Sequence, residues 1–364
     1  MFNGIRLTIA RQRRLLTKRE LAIKIGVEPR AITGYEAGEY IPSEENINVI
    51  SRVLCYPKEF FFGEDMDVPD ESGVSFRSMT RMSAKRRDAA IAAGAIAFAL
   101  SEMVEQKFNL PALDLLDLRG ESPEFAAVSL RQHWGLGELP IKNMIHLLEA
   151  KGVRVFSLAE DCVEVDAYSL WRDGRPFVFL NTLKSSEHRR WDAAHELAHL
   201  LLHKHGAPNG IDAEKEANAF AAAFLMPSAS LKAMGRINPT LETLIAIKKK
   251  WTVSVVSAAV RVFSLGLISD WHYRHLCIEM SRRGWRTAEP FPAKNETSQI
   301  WQKILSTLRG INTSFQDFTR TLHVPADELV KFVFGLATIG LPVSCAMGAS
   351  QSRRKKPELR LVIA

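Results

Sequence analysis

Cysteine is scarce in this chain of 364 residues. The four cysteines lie far apart, and none has a second cysteine close to it in the sequence: Cys55, Cys162, Cys277 and Cys345. Closely spaced cysteines are typical of disulfide frameworks and of zinc ribbons, so neither is expected here. The cysteines are instead expected to be reduced, buried thiols of a cytosolic protein.

Long hydrophobic runs are also lacking. The most apolar stretch, residues 89–100, is too short to span a bilayer. The first residues do not have the pattern of a signal peptide. Together these absences predict a protein without a membrane partner, and the cytoplasm is the expected compartment.

The composition is that of an ordinary globular protein, with 46% hydrophobic and 24% charged residues. The length allows two or three domains, each with a full hydrophobic core. The net charge of +7 favours an anionic partner, either nucleic acid or an acidic protein surface. A solvated basic surface would give the same net charge, so the charge alone does not show that an anionic partner exists.

One stretch has the pattern of a catalytic metal site: His195-Glu196-Leu197-Ala198-His199, of the form H-E-x-x-H. The surrounding residues favour a helix, and side chains four positions apart lie on one face of a helix. Both imidazoles can therefore bind one ion, and Zn²⁺ accepts imidazole nitrogen in tetrahedral geometry. Glu196 would lie beside the ion without binding it, where it can act as a general base.

The alternative for so short a pattern is an amphipathic helix with two surface histidines. The flanking residues argue against it, because two alanines precede His195 and three leucines follow His199. Most of this helix should therefore be buried. A buried carboxylate such as that of Glu196 needs a partner or a chemical role, since burying an unpaired charge is costly.

A second acidic helix follows, and Pro227 ends it. A catalytic zinc takes three protein ligands and keeps one open position. Glu214 is the predicted third ligand, because Asn218 lies on the same helix face and can support it in the second shell. Glu216 lies about 200° round the helix from Glu214, so the two cannot face the same ion.

The pattern His195-Glu-Leu-Ala-His199-Leu-Leu-Leu-His203, followed by Glu214-x-x-Ala-Asn218-x-Phe-Ala-Ala-x-Phe-Leu-Met-Pro227, resembles the ImmA/IrrE family of metallopeptidases. The resemblance implies a gluzincin-like zinc site, with two histidines and one glutamate as ligands and the motif glutamate as general base. It also implies a narrow substrate class, namely helix-turn-helix repressors that are cleaved to release their genes. The family usually has Gly at the position of Ala198, which is a small change. Mn²⁺ and Fe²⁺ remain alternatives to Zn²⁺, because imidazole and carboxylate accept all three.

A small sheet is predicted directly before this helix, from strands at 152–158 and 165–171 and, after an Asp173-Gly174 hairpin turn, at 176–181. One edge strand would hold an extended peptide beside the metal. Tyr168, His203 and His205 are candidates for stabilising the oxyanion, and the sequence does not choose among them. His203 is not expected as a ligand, because three successive histidines on a straight helix drift about 40° at each step.

Residues 1–63 are predicted to form a small helical domain. Residues 5–16 should be a helix whose basic face carries Arg6, Arg11, Arg13 and Arg14. Thr17 and Glu20 form the pattern of a capping box for the next helix, and Gly26 can end that helix. Pro29 can begin the helix after it. The predicted core where these two helices cross consists of Leu21, Ala22, Ile25, Val27 and Ile32.

This pattern resembles the Cro/C1 (XRE) type of helix-turn-helix domain, which implies that the second of the two helices enters the major groove of DNA. Arg30, Thr33 and Gly34 would then face base edges, and Lys18, Arg19 and Tyr35 would lie near phosphates. The alternative is a helix-turn-helix that contacts protein or mediates dimerisation. It is favoured by the single arginine of the recognition helix, which lies between Glu28 and Glu36.

The expected fold class is α+β and mostly helical. We predict five segments, which are a helix-turn-helix domain (1–63), a linker (64–75), a helical connecting region (76–150), a metallopeptidase domain (151–290) and a C-terminal helical region (291–364). The first functional hypothesis is a zinc endopeptidase that cleaves a helix-turn-helix repressor in a stress or mobile-element response. The second is a DNA-binding regulator whose protease-like domain is a sensor or is inactive. The implied partners are the repressor and double-stranded DNA through residues 1–63, and a homodimer stays open.

Overall fold

The computed structural model describes residues 1–69, 75–76, 83–158, 167–203, 211–234, 239–334 and 336–337. These residues form a mostly helical α+β fold with one four-stranded sheet, which confirms the predicted fold class. Of the helices in these ranges, none is long and apolar enough to cross a membrane. Cys55 is exposed and Cys277 is half-buried, so the prediction of buried thiols is wrong for both. Cys162 and Cys345 lie outside the described residues.

The N-terminal region folds as four helices and a 3₁₀ turn: α1 (Gly4–Arg13), α2 (Lys18–Ile25), α3 (Pro29–Ala37), α4 (Glu44–Leu54) and the turn Lys58–Phe62. The Thr17–Glu20 capping box is present at the start of α2. Gly26 ends α2 in the left-handed conformation, with φ of 77°, which glycine adopts without strain. The helices cross over four fully or largely buried residues of the predicted core, Leu21, Ala22, Ile25 and Ile32, with Val27 packed beside them.

The predicted basic face of α1 is wrong, because its arginines bind partners inside the protein. Arg11 pairs with Glu36 on α3, at 2.5 Å between Nε and Oε1. Arg13 and Arg14 both pair with the buried carboxylate of Glu328. Arg6 donates to backbone carbonyls, those of Phe60 and Glu64. The helix periodicity that placed these arginines together could not reveal their partners.

The sheet has the strand order β1-β3-β4-β2, where β1 is Ser75–Phe76, β2 is Arg154–Ser157, β3 is Ala167–Arg172 and β4 is Arg175–Leu180. Strand β3 is antiparallel to both of its neighbours, and β2 is parallel to β4. Asp173 and Gly174 connect β3 to β4 with φ of 48° and 71°, as in a type I′ hairpin turn. The predicted hairpin is therefore present.

The two faces of the sheet meet different helices. One face packs on α5 (Ala84–Lys107), where Phe98 lies 4.8 Å from Phe177 between ring centroids. The other face packs on α8 (Ser186–Leu202), which is the helix that carries the H-E-x-x-H residues. Because side chains alternate along a strand, adjacent residues of β3 point to different helices.

The remaining helices surround this centre: α6 (Pro123–His133), α7 (Met144–Ala150), α9 (Ile211–Leu225), α10 (Ser228–Lys232), α11 (Leu241–Trp251), α12 (Val255–Ser264), α13 (Asp270–Arg282), α14 (Gln299–Gly310), α15 (Phe315–Thr319) and α16 (Ala326–Phe334). The C-terminal helices pack on both the sheet and the N-terminal region. Trp301 of α14 contacts Phe156 of β2, and Phe332 of α16 contacts the same ring. One hydrophobic core therefore extends from α1 through α5 and the sheet to α16.

A buried ion pair joins the first helix to this core. Nη2 of Arg13 lies 2.8 Å from Oε2 of Glu328, and both side chains are 1% exposed. Arg13 also donates to the carbonyl of Ala89 on α5, at 3.0 Å. Burial raises the pKa of Glu328, but the charges of Arg13 and Arg14 outweigh it and hold that pKa below its usual value. The Glu328 carboxylate therefore binds a proton less tightly in the folded state than in the unfolded chain.

We predict that Glu328→Gln destabilises the protein by about 3–5 kcal/mol near neutral pH, because it leaves two arginine charges without their buried partner. The stability that Glu328 contributes is present above its unfolded pKa of about 4.3 and is lost as the pH falls through the lower folded value. In urea unfolding at a series of pH values, the difference in free energy of unfolding between Glu328→Gln and wild type should narrow below about pH 4. Exposed Glu59→Gln is the control, and an equal loss there, or a gap that does not change with pH, would contradict the prediction.

Candidate metal centre

The two motif histidines lie on the buried face of α8. Ser185 caps the helix, with its side chain accepting from the backbone N–H of His188. His195 and His199 are 0% and 2% exposed, and their Nε2 atoms are 3.1 Å apart. The i,i+4 spacing therefore brings the two ring nitrogens to one point, as the sequence predicted.

Helix α9 packs against α8 and brings Glu214 to the same point. Its Oε2 lies 3.3 Å from Nε2 of His195, and its Oε1 lies 3.4 Å from Nε2 of His199. Glu216 is turned away and contacts His203 instead. Of the two glutamates that the sequence offered, Glu214 is therefore the one that the fold places with the histidines.

These three side chains fit a zinc ion. Their ligand atoms all lie within 4.8 Å of one another. Zinc bonds of about 2.0–2.1 Å in tetrahedral geometry separate neighbouring ligand atoms by about 3.3 Å, close to the separations found here. Burial raises the pKa of Glu214, but hydrogen bonds and charges from His195 and His199 outweigh it, so the pKa lies well below its usual range. An ionised carboxylate is the form in which a glutamate binds a metal.

Glu196 lies at the centre of the interface between α8 and the sheet and is fully buried. The hydroxyl of Ser169 on β3 donates to its Oε2 at 2.7 Å. This bond holds the carboxylate toward β3. The sequence analysis did not identify Ser169. Its only signal was a small polar residue at a position of an apolar strand that faces the motif helix.

A chain of hydrogen bonds continues behind His199. Its Nδ1 lies 2.9 Å from Nδ1 of His203, whose Nε2 lies 3.1 Å from Oε2 of Glu216. If His199 donates through Nδ1 and His203 through Nε2, every member has a partner and Nε2 of His199 keeps its lone pair. Burial lowers the pKa of His203, as does the nearby His199, which favours the neutral ring that this arrangement needs.

The structure does not place the two described oxyanion candidates at the open side of the cluster. The hydroxyl of Tyr168 donates to the carbonyl of Ala90, on the α5 face of the sheet, and its ring stacks on Phe179. His203 contacts the ring nitrogen of His199 that points away from Glu214. Tyr168 is therefore committed to the opposite face of the sheet, and both ring nitrogens of His203 are engaged by His199 and Glu216. The third candidate, His205, lies outside the described residues.

Asn218 supports α9 and does not touch the Glu214 carboxylate. Its Nδ2 donates to the backbone carbonyl of Glu214 at 2.8 Å, and its Oδ1 accepts from Nε1 of Trp191 at 3.3 Å. It therefore ties the helix of the third candidate ligand to α8. A cavity of about 900 Å³ opens beside this contact, and its mixed polar and apolar lining includes the rings of Trp191, Tyr273 and Trp285.

The helix-turn-helix presents only part of the predicted DNA face. Arg19, Arg30 and Thr33 are exposed, and Lys18 is partly exposed while pairing with Glu36 at 3.3 Å. These four positions are compatible with DNA contact.

Two of the predicted DNA contacts are wrong. Gly34 is covered by the ring of Tyr40, and a Cβ at this position would lie 2.1 Å from Cζ of that ring. Tyr35 is 7% exposed and its hydroxyl accepts from Asn46. Both residues hold α3 against the rest of the domain, and neither can reach a base or a phosphate without unpacking it.

Comparison with known proteins agrees with both parts. A family profile described as the IrrE N-terminal-like domain, of the M78 peptidases, matches residues 148–263. A profile described as helix-turn-helix matches residues 7–60. A search of curated proteins found no match. The chain therefore joins an N-terminal XRE-type helix-turn-helix domain to an M78 peptidase-like domain, which is the architecture that the motif residues predicted for the ImmA/IrrE family.

Proposed function

We propose that this protein is a zinc-dependent endopeptidase that cleaves a helix-turn-helix transcriptional repressor and so controls a stress or mobile-element response. One observation carries the proposal: three side chains that can bind a metal, His195, His199 and Glu214, converge in an M78 peptidase-like domain, and the buried Glu196 directly follows His195 in the chain. A buried carboxylate in such a place has a chemical use and is costly without one.

In this proposal His195, His199 and Glu214 hold the zinc. When bound, zinc would supply a Lewis acid for the scissile carbonyl and would lower the pKa of a water. Glu196, held by Ser169, takes the proton from the attacking water and gives it to the leaving amide nitrogen. The backbone of β3, on the side where β1 pairs in this structure, would hold the substrate in an extended conformation next to Ser169, the partner of Glu196. Mn²⁺ and Fe²⁺ are chemically acceptable to the same donor set.

The helix-turn-helix domain would bring the enzyme to the DNA that its target repressor occupies, in the cytoplasm. The exposed side chains of Lys18, Arg19, Arg30 and Thr33 are the proposed contacts. The net charge of +7 supports an anionic partner. Substrate and enzyme would then share one surface of DNA, which raises the local concentration of each for the other.

A second function is favoured by the shared hydrophobic core. The Arg13–Glu328 pair and the packing of α1 on α5 fix the helix-turn-helix domain to the rest of the protein. A ligand or metal bound at the centre could therefore change DNA affinity without any proteolysis. In that case the protein is a DNA-binding regulator whose M78-like domain is a sensor.

We predict that Glu196→Gln keeps zinc and lowers cleavage about 10²–10⁴-fold, because it removes the general base and leaves the three ligands. The measurement compares new protein N-termini in cells carrying wild type or Glu196→Gln, before and after DNA damage or desiccation. A terminus inside a helix-turn-helix protein, present only with wild type, identifies the substrate.

Two results would argue against this proposal. Loss of zinc from purified Glu196→Gln would mean that Glu196 is itself a ligand. The absence of any wild-type-specific terminus, with expression and folding matched, would favour the regulator.

We predict that His203→Ala weakens zinc binding about 10–100-fold, since it removes the group that fixes the ring and tautomer of His199. Glu216→Gln should have a smaller effect in the same direction. Chelator competition on the purified chain measures both. Lys215→Ala, on the exposed face of the same helix as Glu216, is the control. An unchanged zinc affinity in His203→Ala would show that the hydrogen-bond chain does not support the site.

We predict different effects for two arginines of the DNA face. On a duplex selected from a random pool with the wild-type chain, Arg30→Ala should cost about 1–3 kcal/mol and relax the preference at one base pair. Arg19→Ala should weaken binding to all duplexes and reduce the slope of log K against log[salt] by about 0.9. Exposed Arg52→Ala, on α4, is the control. Selection that yields no preferred duplex would favour the protein-contact interpretation of this domain.

A further inference from the structure

A two-residue strand between the two family-matched regions lies along the outer edge of β3. This strand, β1, pairs antiparallel with β3, with Ser75 opposite Ser169 and Phe76 opposite Tyr168. In the strand order β1-β3-β4-β2, β1 covers the one edge of β3 that β4 does not. A short strand from the chain itself therefore occupies this edge.

Two further contacts hold residues shortly before this strand against β3 and α5. Asp67 accepts from Nε of Arg172, at the far end of β3, at 2.5 Å. Pro69 packs on Gly94 of α5, where a Cβ would lie 2.6 Å from the proline Cγ. Asp67 contacts residue 172 of β3, and Ser75, later in the chain, lies opposite residue 169, earlier in β3. The two segments therefore run in opposite directions.

This edge borders the candidate catalytic group. Ser169 is paired through its backbone with Ser75, and its hydroxyl bonds to Glu196 on the other side. Trp171, two residues further along β3, donates to the carbonyl of Leu200 on α8. An extended peptide that bound β3 by strand addition would therefore run beside Glu196, where Ser75 and Phe76 now lie.

We propose that the Ser75–Phe76 strand, anchored by Asp67, is a built-in competitor that closes the peptidase until it leaves β3. This inference rests on the proposed peptidase function and names its regulation. The competitor is part of the same chain, so its effective concentration at β3 is about millimolar. An extended substrate peptide must therefore displace it or wait for it to leave.

The same segment is fastened to the helix-turn-helix domain at its other end. Asn3, which caps α1, donates to Oδ1 of Asp65 at 2.7 Å, and Arg6 donates to the carbonyl of Glu64 at 2.6 Å. Ser75 follows Asp65 by ten positions in the chain, so the competitor strand is close in sequence to the domain that would bind DNA.

The test disrupts the strand pairing in the full zinc-loaded chain. The double variant Ser75→Pro, Phe76→Pro removes both amide donors and the extended pairing. The control variant Ser75→Thr, Phe76→Tyr keeps the donors and the preference for a strand. Both are compared with wild type on a random-sequence peptide library, with cleavage followed by mass spectrometry. The proline variant should cleave about tenfold faster than wild type, and the control should match wild type.

Asp67→Asn provides an independent second variant. It weakens the contact with Arg172 and replaces no residue of β3 or α8. An exposed ion pair contributes up to about 1 kcal/mol, so its cleavage rate should rise by up to about fivefold. A rate equal to that of wild type in both Asp67→Asn and the proline variant would overturn the inference.

Hydrogen exchange of the 167–172 strand separates the outcomes. Faster exchange together with faster cleavage in the proline variant supports the competitor. Faster exchange with unchanged cleavage overturns it and leaves the peptidase intact, and unchanged exchange overturns it as well. A new N-terminus between residues 69 and 83 of wild type would show that the segment is a substrate. If zinc is bound and no variant cleaves any peptide, the proposed function itself fails.

Discussion

The contact between α8 and α9 is the constraint on which the rest of the site depends. It places the carboxylate of Glu214 between the Nε2 atoms of His195 and His199, at 3.3 and 3.4 Å. Two buried imidazoles and a carboxylate at this distance need a cation or a proton to hold them together. Ala217, Phe220, Ala221 and Phe224 of α9 are fully buried, and α9 packs on α8, so separating the two helices would expose this apolar surface. A bound metal ion would offset the cost of burying these polar groups together. The free energy of metal binding would then also contribute to the stability of the fold.

Much of this site follows from local rules. Helical spacing alone puts His195 and His199 on one face and separates Glu214 from Glu216 round α9. The same kind of reasoning finds the capping box at Thr17 and the hairpin turn at Asp173, because each depends on residues within four positions of one another. Where the chemistry is local, a single sequence is enough to predict the structure.

The errors share a different physical cause, which is a partner far away in the chain. The arginines of α1 look like a solvated basic face until Glu328, 315 positions from Arg13, is placed beside them. Tyr168 and Ser169 are adjacent in the sequence, yet one faces α5 and the other faces Glu196. Gly34 faces the ring of Tyr40 instead of solvent. Helix periodicity gives the direction of a side chain relative to its neighbours, and only the tertiary packing decides which direction is outside.

The same long-range packing joins the two family-matched regions into one body. Helices α14–α16, whose role the sequence left open, fill the space between the sheet and α1 and carry the carboxylate that neutralises Arg13. Between the two regions, Asp67 contacts Arg172 of β3, and the Ser75–Phe76 strand pairs with Ser169 and Tyr168 of β3. A flexible tether would have allowed the two regions to act independently. With α1, α5 and β3 sharing contacts, any event that moves the helix-turn-helix domain also acts on the strand that borders Glu196.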